Sequence, residues 1–105
     1  MIERRDFDHR LRELHRQYAK ELPQWINDIR RLWQTLEAGD DAVRPDLLRL
    51  VHRLGGSGAT FGFPEITHLA RRLEELLDTG PDTVLPVNEV EATLEALERQ
   101  MPASG

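Results

Sequence analysis

Apolar residues recur at steps of three and four along most of this chain, the spacing that lines one face of an α-helix. Phe7, Leu11, Leu14 and Tyr18 keep that spacing, with Asp6 or Asp8 placed to cap the start, so a first helix is predicted to run to about Leu22. Pro23 lacks an amide donor and disfavours helix in the residue before it, which predicts a break or kink there, with Pro23 opening a second helix. Ile26, Ile29, Trp33 and Leu36, joined by Trp25 and Leu32, form the stripe of that helix, and Gly39 is its natural stop. Asp40 to Arg44 make a short connection. Pro45 then stands near the start of a third helix, with Asp46 in its first turn and Leu47, Val51, Leu54, Gly58 and Phe61 along one face. Gly62, Phe63 and Pro64 mark its far end. Ile66, Leu69, Ala70, Leu73, Leu76 and Leu77 write a fourth stripe, closed by Gly80-Pro81, and after a turn-like segment from Asp82 to Pro86 a fifth follows on Val90, Leu94, Leu97 and Met101.

No run alternates apolar and polar residues for long enough to make a strand. The expectation is an all-α protein: an antiparallel four-helix bundle of helices two to five, with an additional N-terminal helix capping one end. At 105 residues the chain is one domain, with about 1–5 and 102–105 expected to be flexible. Phe7, Trp25, Trp33, Phe61 and Phe63 are expected to pack in the core or at helix ends.

The third stripe carries the chemistry. His52 lies beside the apolar face, and since one residue advances the direction by about 100°, its imidazole should leave the core at the border and point into solvent. Gly55, Gly56, Gly58 and Gly62 each cost about 0.8–1.0 kcal/mol relative to alanine inside a helix, so something must offset them. Gly55 and Gly56 follow His52 by three and four, which puts bare backbone beside the ring and lets a second molecule come close. Gly58 falls on the inner stripe, where its small size admits a neighbouring helix.

Composition narrows the function further. A net charge of −5 argues against general nucleic-acid binding, and no apolar run is long enough to span a bilayer or serve as a secretion signal. With no cysteine there is neither a disulfide framework nor a thiol nucleophile, and a soluble cytoplasmic chain is expected. Eight acidic residues against Arg99 alone follow from Glu74 onward, so the arginines gather in the earlier part, with Arg49 and Arg53 near His52. GGSGATFG matches neither a phosphate loop nor a dinucleotide fingerprint and follows a helical stripe instead of a strand. His9 and His15 are six apart and face different ways, no histidine pair has metal spacing, and His9, His15 and His68 read as ordinary surface or edge residues. Ser57 lies five residues after His52, in a different direction, with no nucleophile elbow. What remains is His52 as the reacting group, since neutral imidazole is a nucleophile that needs no partner base.

These residues resemble the histidine-containing phosphotransfer (HPt) domains of bacterial phosphorelays. The shared pattern is a histidine, two residues, usually a lysine, then a glycine with small residues, a further glycine some six residues on, and a leucine-glutamate pair in the next helix. His52, Gly56, Ser57, Gly58, Ala59, Gly62, Leu73 and Glu74 fall on it. The resemblance implies that His52 carries a phosphoryl group between receiver-domain aspartates, with Mg²⁺ supplied by the receiver and no cofactor of the chain's own. It implies partners among receiver domains and a sensor or hybrid histidine kinase, while charge and hydropathy have already argued against nucleic acid and membrane as partners. It also implies that Ser57 lies near the site and that Glu74 orients the ring. Gly55 replaces the usual lysine, whose charge Arg49 or Arg53 would have to supply. The alternative is a non-catalytic HPt-like module that binds a receiver or kinase without transferring phosphate. A monomer is expected, with no ATP-dependent kinase activity of its own, in contrast to a purely structural bundle that would self-associate and be indifferent to His52.

Overall fold

The computed structural model describes residues 4–80 and 83–102, and among them four α-helices and no strand. They are α1 (Arg4–Glu37), α2 (Arg44–Ser57), α3 (Pro64–Leu77) and α4 (Val87–Arg99), with one 3-10 turn, Asp41–Val43, between the first two. Each helix packs on its neighbours in chain order and α4 closes back on α1, so the all-α four-helix bundle stands.

Of the break or kink expected at Pro23, the break does not occur. Pro23 lies inside the 34-residue α1, so the anticipated capping helix is continuous with the next one. An interior proline costs about 3 kcal/mol. Leu22 and Ile26 flank it, both fully buried, and a buried leucine or isoleucine side chain contributes about 1.5–3 kcal/mol. Together with Tyr18, Ile29, Trp33 and Leu36 on the same stripe, this burial outweighs the missing amide.

The N-terminal part of α1 projects from the bundle: residues 4–17 are all exposed, and the molecule measures 57 Å along its longest axis. Phe7 is therefore not a packing residue; it is 58% exposed, and Leu11 and Leu14 share its open stripe. Capping of the bundle end falls to the next turn, where His15 stacks on Phe63 with centroids 4.5 Å apart and Tyr18 packs against Phe61 and Phe63.

Gly39 stops α1 as expected. At φ 108° it takes the left-handed conformation, while the Asp40 amide bonds back to the Thr35 carbonyl and the Gly39 amide to that of Leu36. The same device closes the stretch after α2. Regular helix ends at Ser57, short of the continuous face expected through Phe61, and residues 58–61 continue as tight turns. Gly62, at φ 94°, then ends them, with the Phe63 amide bonded to the Gly58 carbonyl at 2.7 Å. A β-carbon on Gly62 would stand 2.5 Å from His15 Nδ1, so this position is closed to side chains twice over. Gly58 admits the start of α3 as expected: a β-carbon there would meet the Phe63 carbonyl oxygen and the Thr67 amide nitrogen at 2.9 Å.

At the far face, α1 and α4 are joined through Arg30, which donates to Glu98 and to Glu91, while the Trp33 indole donates to Glu91 at 2.8 Å. Arg30 holds the Glu91 carboxyl below its ordinary range, with the Trp33 bond adding to the effect. The Gly80-Pro81 stop and the Asp82 turn fall partly on residues 81–82, and the chain ends expected to be flexible include residues 1–3 and 103–105, all outside the described residues; α1 is already helical at Arg4.

Candidate functional site

His52 stands on α2 with its side chain 75% exposed, turned toward α3. There its Nδ1 lies 2.8 Å from Glu74 Oε2. A carboxylate only accepts hydrogen bonds, so the Nδ1 proton is donated to Glu74, and in the neutral ring the lone pair then sits on Nε2. Glu74 thus selects the tautomer and orients the ring from the neighbouring helix.

The glycines divide around this ring. A residue four positions on is rotated about 40° one way and a residue three positions on about 60° the other. Gly56 accordingly borders the α1 side, exposed and with nothing within 4 Å of the place a β-carbon would take. It opens onto a groove of about 440 Å³ lined by Tyr18, Trp25, Leu50, Leu54 and Phe61, with Arg53 at its side. Gly55 turns the opposite way and is buried under α3, where a β-carbon would lie 3.4 Å from Arg71 Cγ and 3.7 Å from Ala70 Cβ. The expectation that both glycines leave open ground beside the imidazole therefore holds for Gly56 and fails for Gly55.

Ser57 does not join the imidazole. Its hydroxyl donates to the Arg53 carbonyl at 2.9 Å, which leaves its oxygen to accept from the Tyr18 phenol at 2.8 Å. Burial holds the Tyr18 phenol above its ordinary value, and the bond to Ser57 offsets part of that rise. Arg49, one turn before His52, is paired with Asp46 at 3.3 Å. Both ends of the glycine-rich stretch are thus pinned to α1: Ser57 through Tyr18, and Phe61 through its carbonyl, which bonds to His15 Nδ1 at 2.9 Å. Neither Tyr18 nor His15 stood out in the sequence, because each meets its partner across about forty residues and no local spacing signals the pairing.

Residues 13–101 match the family model of the Hpt domain. The chain belongs to the Hpt domain family. Hpt domains are phosphotransfer modules of two-component signalling, and they generally interact with receiver domains and kinases. The matched span starts within the projecting turns of α1, after Phe7 and Leu11, and takes in all of α2, α3 and α4. No curated protein and no solved structure matches the chain significantly. Among the described residues, no helix of this Hpt domain is long and apolar enough to cross a membrane.

Proposed function

We propose that His52 of this Hpt domain accepts a phosphoryl group from a receiver-domain aspartate and passes it to another, linking a sensor or hybrid histidine kinase to a response regulator in the cytoplasm. The observation that carries this reading is the bond between His52 Nδ1 and Glu74, which leaves Nε2 as an exposed nucleophile. In the transfer step, the Nε2 lone pair forms the N–P bond while the acyl O–P bond of the aspartyl phosphate breaks and its electron pair leaves with the carboxylate. The Nδ1 proton stays in place, and Glu74 stabilises the positive charge that develops on the ring. Phosphoryl transfer of this kind relies on positioning and charge stabilisation. In this reading the Mg²⁺ that assists transfer is supplied by the receiver, while Glu74 serves the imidazole.

Gly56 and the groove toward Tyr18 and Trp25 offer ground for the apolar face of a docking receiver helix. The protein acts as a monomer in this reading. A second reading, a module that binds receivers without transferring phosphate, is favoured by the glycine at position 55. Incubation with a phosphorylated receiver separates the two. Acid-labile label on the wild type, absent in His52→Gln, supports transfer; a stable complex with no label supports the binding module.

A further inference from the structure

A phosphoryl group on Nε2 would place about two negative charges on a ring whose other nitrogen is already bonded to the Glu74 carboxylate, and α2 carries no cation one turn beyond the imidazole, where Gly55 stands. The register between α2 and α3 shows what occupies that place. His52 faces Glu74, and three residues further along α2, Gly55 faces Arg71, three residues earlier on α3. These are successive rungs of one antiparallel pair, about 4.5 Å apart along the axis. The stem of Arg71 lies over the bare backbone of Gly55, its Cγ 3.4 Å from the point a β-carbon would take. A β-carbon at position 55 would rest against the arginine stem, and glycine leaves that face of α2 to it.

The other arginines nearby are differently placed. Arg49 is paired with Asp46, and Arg72, the neighbour of Arg71, reaches Glu89 at 3.4 Å. Arg53 turns to the α1 side and lines the groove. Arg71 is exposed, and among the described residues its guanidinium has neither an ion pair nor a hydrogen bond. It shares a face of α3 with Glu74, three residues on, so the group that orients the imidazole and a free cation come from one helical surface.

We infer that Arg71 is the charge-neutralising residue of this phosphotransfer site, supplying from α3 across Gly55 the cation that α2 lacks. This rests on the proposed phosphorylation of His52 and adds to it the residue that binds the phosphoryl oxygens. A guanidinium suits that task, because its fixed fork of donors matches two oxygens at once.

The test uses the full chain with phosphoramidate, a small donor that requires no docking partner and loses ammonia as its P–N bond is exchanged for the one to His52. Arg71→Ala is expected to slow labelling about fivefold, the upper end for an exposed charge pair. Arg71→Lys should recover part of the rate, and Gly55→Lys placed in the Arg71→Ala background should restore most of it, since the space that the arginine stem filled is then vacant. A second readout follows the ³¹P shift of the phosphohistidine against pH. Removing a neighbouring cation raises the last phosphoryl ionisation, and Gly55→Lys brings it back down. Helical circular dichroism confirms that the variants are folded. Unchanged labelling and an unchanged ³¹P titration in Arg71→Ala, with His52→Gln unlabelled, would overturn the role of Arg71 while phosphorylation of His52 stands. A wild type that takes no label, or a His52→Gln protein that takes it equally well, removes both ideas.

Discussion

Gly56 and Gly58 lie two residues apart at the end of α2, yet replacing each with alanine should move stability in opposite directions. Neither has a positive φ, so an added methyl group carries no backbone strain at either position, and in both cases it restricts the unfolded chain, worth about 0.4–1 kcal/mol of stabilisation. At Gly56 nothing lies within 4 Å of the new atom, so the gain stands. At Gly58 the same atom meets the Phe63 oxygen and Thr67 nitrogen at 2.9 Å and Thr67 Oγ1 at 2.8 Å. Two of those three are backbone atoms that cannot rotate away, and overpacking of this kind costs about 1–3 kcal/mol. Relief by moving Thr67 would break its 2.6 Å bond from the Ala59 amide, a further loss of about 0.5–1.5 kcal/mol. Gly58→Ala should therefore be less stable than wild type by about 1–3 kcal/mol. Urea unfolding followed by circular dichroism at 222 nm measures both variants. Equal shifts of the two midpoints in the same direction would refute the steric reasoning. Gly56 would then also lose its main functional argument, that an alanine or larger residue is affordable to the fold and is left out to keep the approach to His52 open. Gly56→Leu, on that argument, keeps the fold and phosphoramidate labelling but blocks transfer from a phosphorylated receiver.

Replacing Glu74 with alanine should cost no more than about 1 kcal/mol, since its partner His52 is largely exposed, but slow labelling of His52 severalfold as the ring loses its fixed tautomer; labelling time courses beside urea midpoints separate the two effects. Arg30→Ala leaves Glu91 and Glu98 facing each other without their shared cation and should cost about 1–3 kcal/mol, read from the same midpoints. The Glu91 carboxyl is held down in the folded state, so its contribution is complete above its unfolded value and is lost as pH falls through the folded one. Stability measured from pH 6 to pH 3 should thus decline on the acid side, less steeply in Glu91→Gln. Tyr18→Phe removes the donor to Ser57 and should cost about 0.5–1.5 kcal/mol, while in the wild type ultraviolet titration should find the phenol ionising above its ordinary pH.

The sequence by itself determined the all-helical class, the four stripes that build the core, the stops at Gly39 and Gly62, and the exposure of the His52 ring, because helical periodicity and the left-handed preference of glycine act over a few residues. The pattern also pointed to Glu74 as the partner of His52, through its match to a known motif. Tertiary structure decided the rest. Whether Pro23 ends a helix depends on a local cost of about 3 kcal/mol set against burial of Leu22 and Ile26 among distant side chains, and only the bundle supplies that burial. Phe7 keeps helical spacing in sequence but finds no partner, since the projecting turns of α1 run past the bundle that would have covered it. Gly55 and Gly56 are chemically identical neighbours, and which of them is buried follows from the side on which α3 packs. The pairing of Gly55 with Arg71 is a matter of register between two helices, which is set by the fit of their buried faces and leaves no trace in the local spacing of either.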